Sequence, residues 1–117
     1  MAIQVANVPA SADFYDRVLA PLGAQRTKEF GEFISFGTTG HTLWLVPATD
    51  DGPAREVHLA FAAPDRAAVD AFHAAAVAAG AESLHAPQLW PRYHESYYGA
   101  FVRDLDGNNI EAVCHTA

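Results

Sequence analysis

Apolar residues along the chain follow a helical period in two long stretches and a strand-like period in shorter runs. The first helical stretch begins at Ser11, a suitable N-cap, and ends at Gly23. The second begins at Pro64-Asp65 and ends at Gly80. The apolar faces contain Phe14, Tyr15, Val18, Leu19 and Leu22 in the first stretch and Val69, Phe72, Ala76 and Val77 in the second. The pattern therefore predicts two helices.

Strand-like runs separated by glycine, proline and Asp-Gly turns surround these helices. They lie at residues 2–8, about 24–29, about 32–37, 42–46, 56–62 and about 82–85, with a closing hairpin between residues 96 and 115. The order β-α-β-β-β occurs twice, and Gly80 follows Gly23 by 57 residues. We interpret the chain as one domain of two modules, at about 1–48 and about 55–117, joined by a polar linker at about 48–54.

The closing hairpin carries the first chemical signal. Its turn contains Asp106-Gly107, a pair typical of tight hairpins in which both central residues have positive φ. The strand that follows places Glu111 between Ile110 and Ala112. A buried carboxylate is costly unless it is paired or binds a metal, and His58 lies in another apolar strand. We therefore expect Glu111 and His58 to be functional candidates.

The composition restricts the partners. The chain has 117 residues, of which 50% are hydrophobic and 18% charged, so it is long enough and apolar enough to bury a core. Its net charge is −7, without a basic patch, which makes nucleic acid and anionic membranes poor partners. We see no signal peptide and no membrane-spanning run, and the single cysteine, Cys114, favours a reducing, cytoplasmic location.

Two segments carry a family resemblance. They are Ser11-Ala12-Asp13-Phe14-Tyr15, leading to Leu22-Gly23, and Tyr97 to His115, with the run Asp104-Leu105-Asp106-Gly107-Asn108-Asn109-Ile110-Glu111 at its centre. With two tandem βαβββ modules, the chain resembles the vicinal oxygen chelate superfamily, which includes glyoxalase I, bleomycin-resistance proteins and extradiol dioxygenases. Leu105 stands where the usual turn of this superfamily has a proline.

The resemblance implies an α+β fold, with a mixed sheet curled around a cleft and the helices outside. It also implies a divalent metal, Zn, Ni, Mn, Fe or Co, held by His or Gln on strand one, Glu on strand four, His on strand five and Glu on strand eight. Here His58 and Glu111 match the last two positions. The first two fall at about Met1 and at Trp44, neither of which is such a ligand. Two protein ligands make a weak metal site unless a substrate or other side chains complete it.

Further candidates surround this pair. The loop before the hairpin contains Trp90, Arg92, Tyr93 and His94, and it suits either a lid over the cleft or a dimer contact. Tyr97 and Tyr98 alternate, so one of them faces the cleft. We expect Glu111, one of these tyrosines or His94 to move protons. An ion pair of Glu111 with Arg92 or Arg103 is the structural alternative.

Two functions remain open at this stage. One is a metal-dependent lyase, isomerase or dioxygenase that acts on a small oxygen-rich molecule through His58 and Glu111. The other is a metal-free protein of the bleomycin-resistance type that sequesters a planar compound by stacking. Its cleft would be lined by Trp44, Trp90, Tyr93 and either Tyr97 or Tyr98. We expect a homodimer in both cases.

Overall fold

The computed structural model describes residues 1–38, 43–48 and 56–116. The first half contains β1 Ala2–Val5, α1 Val8–Leu19, a 3₁₀ turn Ala20–Leu22, β2 Gln25–Phe30, β3 Phe33–Gly37 and β4 Leu43–Pro47. The second half contains β5 His58–Ala62, α2 Arg66–Ala78, β6 Ser83–Leu89, β7 Tyr98–Arg103 and β8 Asn109–Cys114. The predicted α+β fold of two tandem βαβββ modules is confirmed. The linker predicted at about 48–54 lies, except for Ala48, outside the described residues.

Each module builds its own four-stranded mixed sheet. The strand order is β1-β4-β3-β2 in the first sheet and β5-β8-β7-β6 in the second. In both sheets the first strand of the module pairs in parallel with the last, and the other pairs are antiparallel. The strand that carries Glu111 is therefore an interior strand, between the strand of His58 and β7.

Both helices begin at a side-chain cap and bury one face. The side chain of Asn7 accepts a hydrogen bond from the backbone of Ala10, and Asp65 does the same for Ala68. The prediction of Ser11 as the first cap is therefore wrong: Ser11 lies one turn inside α1, and the first strand ends at Val5 instead of residue 8. Pro9 is tolerated because the first helical turn needs no backbone donor there.

The turn of the closing hairpin joins the two modules. The buried carboxylate of Asp104 accepts a hydrogen bond of 2.6 Å from the hydroxyl of Tyr15 in α1, besides bonds from the backbone nitrogens of Asp106 and Asn108. Asp106 in turn accepts from the backbone nitrogen of Ala6 at 2.9 Å. The segment that resembles the superfamily turn thus fixes one module against the other. Only Gly107 has a positive φ there, of 86°, so the expectation of two such residues is wrong for Asp106.

One face of each sheet is covered by its helix and the other face is open. In β5, Leu59 is buried, whereas His58 and Ala60 are exposed on the opposite face. In β1, Ile3 and Val5 are buried, whereas Ala2 and Gln4 are exposed. The two helices also contact each other. No helix in the described parts of the chain is long and apolar enough to cross a membrane.

Candidate functional site

Glu111 lies at the centre of the open face of the second sheet. It pairs with Ala60 in β5 and with Phe101 in β7, and it is only 1% exposed. Its Oε1 lies 2.9 Å from Nε2 of His58, and its Oε2 accepts a hydrogen bond from the hydroxyl of Tyr97. The two residues predicted as a metal pair are thus in direct contact, and both carboxylate oxygens are engaged.

His58 forms the exposed side of this contact. It is the first residue of β5, and 53% of its side chain is exposed, against 2% for that of Glu111. Its ring lies 5.9 Å from the ring of Phe101, centre to centre. The buried carboxylate and this aromatic ring hold the imidazole in place while one edge remains accessible.

The two tyrosines lie on opposite faces, as predicted. Tyr97 donates to Glu111 on the open face, whereas the hydroxyl of Tyr98 donates to Asp70 of α2 at 2.6 Å. Tyr98 is therefore not part of this site. Burial and the adjacent Glu111 carboxylate raise the pKa of Tyr97 above its ordinary value. The phenol of Tyr97 consequently keeps its proton and acts as a hydrogen-bond donor at neutral pH.

Gly99, whose role was not predicted from the sequence, lets Tyr97 reach the carboxylate. A Cβ at this position would lie 3.3 Å from Cε1 of Tyr97 and 3.5 Å from Oε2 of Glu111. The backbone carbonyl of Gly99 also accepts a hydrogen bond of 3.1 Å from Nε1 of Trp90. A glycine inside a strand is the signal that would have indicated a close approach here.

The loop before the hairpin comprises residues 90–97. Its ends are joined by a hydrogen bond of 2.7 Å from the backbone nitrogen of Trp90 to the carbonyl of Tyr97. The ring of Tyr93 lies 4.8 Å from that of Tyr97 and 6.2 Å from that of Trp90, and Trp90 lies 5.3 Å from Phe101. Together with His58, these rings surround Glu111 in a continuous series of contacts.

Other predicted candidates lie farther out. Arg92 stacks on the ring of Tyr93, and Arg103 pairs with Glu56, so neither forms the ion pair with Glu111 that was considered. His94 is exposed and hydrogen-bonds His115 at 3.0 Å; its ring contacts Tyr97, not the carboxylate. These contacts give His94 a supporting position at the edge of the site.

Trp44 lies in the other module. It belongs to β4, where it pairs with Ala2 and Ser35 in the first sheet, whereas Trp90 and Tyr93 line the second sheet. The structure therefore does not bring the predicted binding tryptophans together on one sheet. The 57-residue register, which aligns Met1 with His58, is also wrong. His58 lies on the open face of β5, whereas the open face of β1 carries Ala2 and Gln4, so this register is one residue out of step and reverses the face.

A separate apolar cavity of about 210 Å³ lies between the modules. It contains none of the predicted site residues. Its walls are formed by Leu19, Leu22, Ala24, Phe36, Gly37, Thr38, Phe61 and Ala62.

Comparison with known proteins identifies the family. A family model described as the glyoxalase/bleomycin resistance protein/dioxygenase superfamily matches residues 1–112. The chain belongs to this superfamily. No curated protein matches the sequence.

Solved structures of the superfamily support the fold. A glyoxalase/bleomycin resistance protein from Albidiferax ferrireducens is 28% identical, with a TM-score of 0.86 over 97% of this chain and 95% of that one. A lactoylglutathione lyase from Agrobacterium tumefaciens is 22% identical, with a TM-score of 0.70 over 97% and 90%. A superfamily enzyme from Burkholderia phytofirmans is 21% identical, with a TM-score of 0.74 over 97% and 94%. The last two similarities concern the fold alone.

The metal that the superfamily resemblance implies can be tested against the donor atoms. Within residues 1–38, 43–48 and 56–116, no three His, Cys, Asp or Glu side chains are grouped so that they could hold an ion. Glu111 already receives one hydrogen bond on each oxygen, from His58 and Tyr97. Each oxygen keeps a second lone pair, but a zinc-type site needs at least three protein donors, and His58 with Glu111 supplies two. The described residues therefore do not fit a resident metal.

Proposed function

We propose that this chain binds a small planar molecule that carries oxygen atoms, on the open face of its second sheet and without a resident metal. The observation that carries the proposal is the series of aromatic rings around a buried carboxylate that accepts one hydrogen bond on each oxygen. Apolar and aromatic walls with a few fixed polar groups are typical of small-molecule sites. Tyr93, which is 52% exposed, offers its ring for stacking at the outer edge.

Binding can be followed through the fluorescence of Trp90. The chain has two tryptophans, so Trp44→Phe leaves Trp90 as the single reporter. Titration with planar aromatic compounds that carry adjacent oxygens, such as catechol and salicylate, should give saturable quenching. Tyr93→Ala should weaken binding about 2- to 12-fold, the value of one aromatic contact. Leu105→Ala, at an apolar side chain that is 54% exposed in the hairpin turn, is the matched control and should leave the affinity unchanged.

The second candidate is a metal-dependent lyase, isomerase or dioxygenase. The contact between His58 and Glu111 favours it, because one ion could be reached from both side chains if a substrate or another chain supplied the remaining donors. Elemental analysis of protein purified without chelator or nickel resin distinguishes the two candidates. About one transition metal per chain, lost in His58→Ala, supports the enzyme; no metal after incubation with Zn, Ni, Mn, Fe and Co salts supports the metal-free site.

We also propose that the protein is a homodimer. The first sheet carries exposed aromatic side chains, Phe30 at 67% and Phe33 at 43%, and a second copy would cover such surface. Light scattering should give twice the mass of 12.6 kDa, and Phe30→Lys should shift it toward the monomer. A monomer at all concentrations would contradict this part.

The single, buried Cys114 supports the proposed cytoplasmic location.

A further inference from the structure

The apolar cavity between the modules has one wall formed by the turn after α1. In this turn Gly23 has a φ of 83°, and the backbone nitrogen of Ala24 donates to the carbonyl of Leu19 at 3.1 Å. Leu19 and Leu22 are buried, and Ala24 packs against the core. Backbone hydrogen bonds therefore fix this wall independently of what the cavity contains.

The other walls belong to β3 and β5. The buried ring of Phe36 in β3 lies 6.1 Å from the ring of Tyr15, centre to centre, and Tyr15 donates to Asp104 of the second module. Phe61 of β5 packs against the core from the second module. Because the bond between Tyr15 and Asp104 joins the modules, the facing walls are held in place. The cavity is thus preformed, as small-molecule sites usually are.

Small residues leave this space open. Ala24, Gly37 and Ala62 border the cavity, whose volume is about 210 Å³. An engineered apolar cavity of about 150 Å³ in another protein stays dry and binds benzene or xenon. Pockets that enclose drug-sized ligands are larger, about 300–1,000 Å³. The volume therefore suits a molecule of about one ring.

The lining favours an uncharged ligand. None of the described residues that border the cavity has a charged side chain, and Thr38, which is exposed, supplies the only polar side chain among them. A buried water needs two to four polar partners, and a buried charge needs a counter-charge. These side chains offer neither, so an apolar molecule fits the cavity better than water or an ion.

We propose that this cavity is a second ligand site, which binds one uncharged, hydrocarbon-like molecule about the size of a single aromatic ring. The cavity shares no residue with the aromatic series around Glu111, so this inference does not depend on the proposed function. A molecule held there contacts both modules at once. Because it binds the folded chain and not the unfolded one, its binding stabilises the assembled pair of modules.

Toluene and benzoate form a matched pair of probes, since they share one ring and differ in charge. In protein with ¹³C-labelled leucine methyl groups, toluene should give saturable NMR shifts at Leu19 and Leu22. Leu105, which is exposed in the hairpin turn, should not move. Benzoate should leave the methyl groups of Leu19 and Leu22 unchanged. The Tm should rise with the toluene concentration.

Two variants fill the cavity from different walls. Ala24→Leu adds an apolar side chain at the turn after α1, and Phe61→Trp enlarges the ring on β5. Each should weaken toluene binding about tenfold or more, because the ligand loses the space in which its apolar surface is buried. Ala67→Leu, at an exposed position of α2, is the matched control and should bind like wild type. With two filling variants, misfolding of one leaves the other to decide.

The contrary results can be told apart. Absence of leucine shifts in folded protein at saturating toluene would overturn the proposal, as would equal toluene affinity in wild type and in both filling variants. Shifts confined to Trp90 and Tyr97 would assign toluene to the open face. Shifts of Leu19 and Leu22 that follow the protein concentration instead of the toluene concentration would assign the cavity to a second copy of the chain. Quenching of Trp90 by salicylate tests the proposed function separately, and neither of its outcomes changes these readings.

Discussion

Removal of the Tyr97 hydroxyl is the sharpest test of the buried network. In Tyr97→Phe the ring remains, but Oε2 of Glu111 loses its donor in a position that is 1% exposed. An unsatisfied buried acceptor costs about 1–3 kcal/mol, and more when it is charged. We therefore expect a loss of about 1.5–3 kcal/mol in the free energy of unfolding. For 117 residues this corresponds to a decrease in Tm of about 6–12 °C.

Urea unfolding of four proteins measures this loss and assigns it. Wild type, Tyr97→Phe, Glu111→Met and the double variant form a cycle in which the coupling isolates the contact between the two residues. Once Glu111 is replaced by an apolar side chain of similar size, loss of the hydroxyl should cost almost nothing. Tyr93→Phe is the control, because its ring is exposed at the outer edge of the site, and it should stay within about 0.5 kcal/mol of wild type.

Two results would refute this reasoning. A cost below about 0.5 kcal/mol for Tyr97→Phe would mean that water or another donor replaces the hydroxyl. An equal cost in the presence and absence of Glu111 would mean that the hydroxyl acts elsewhere. In either case the Tyr97 hydroxyl would not be an essential donor to the Glu111 carboxylate.

Three further predictions concern the fold. Burial and Asp104 raise the pKa of Tyr15. The hydrogen bond from its hydroxyl therefore contributes fully to stability below the unfolded pKa of about 10, and this contribution is lost as the pH rises above that value. Tyr15→Phe should cost about 1–3 kcal/mol at pH 7 and less at pH 11, as measured by urea unfolding. Gly107→Ala should lower the free energy of unfolding by about 1–2 kcal/mol through backbone strain alone, since its Cβ would meet no atom within 4 Å; an unchanged urea midpoint would contradict it. Asn7→Ala should cost about 1 kcal/mol, whereas Asn7→Ser keeps a capping oxygen and should cost clearly less; equal costs for the two variants would contradict the cap.

The order of elements followed from the sequence because its signals are local. Helical spacing, the glycines after both helices and short turns all predict the same βαβββ pattern, and the structure confirms it. The errors arose where two residues offered the same local signal. Asn7 and Ser11 are both able to cap a helix, and only the backbone of residue 7 is extended. Sequence alone carries no further information on that choice.

The residues of the site could be predicted from the sequence, but the contacts between them could not. Alternation required that Tyr97 and Tyr98 face opposite ways, yet which one meets Glu111 depends on the register of β7 against β8. Likewise, Trp44 was expected in the same cleft as Trp90 because the superfamily resemblance puts Trp44 at the strand-four ligand position of a cleft that both modules enclose. Their membership of different sheets depends on how two modules assemble, which no local pattern specifies.

The contact between His58 and Glu111 argues against the chemistry that their identities first suggested. Histidines that bind metals usually donate their second N–H group to a carboxylate, which orients the ring but does not touch the ion. Glu111 occupies that orienting position at Nε2, and Tyr97 engages its other oxygen. To act as ligands of one ion, Nε2 of His58 and Oε1 of Glu111 would have to give up their contact with each other, whereas Tyr97 could keep its bond to Oε2. As an orienting group the carboxylate keeps both bonds. The contact therefore fits a histidine oriented by a carboxylate without any further donor, whereas a metal site needs at least one more donor than the described residues bring to this pair.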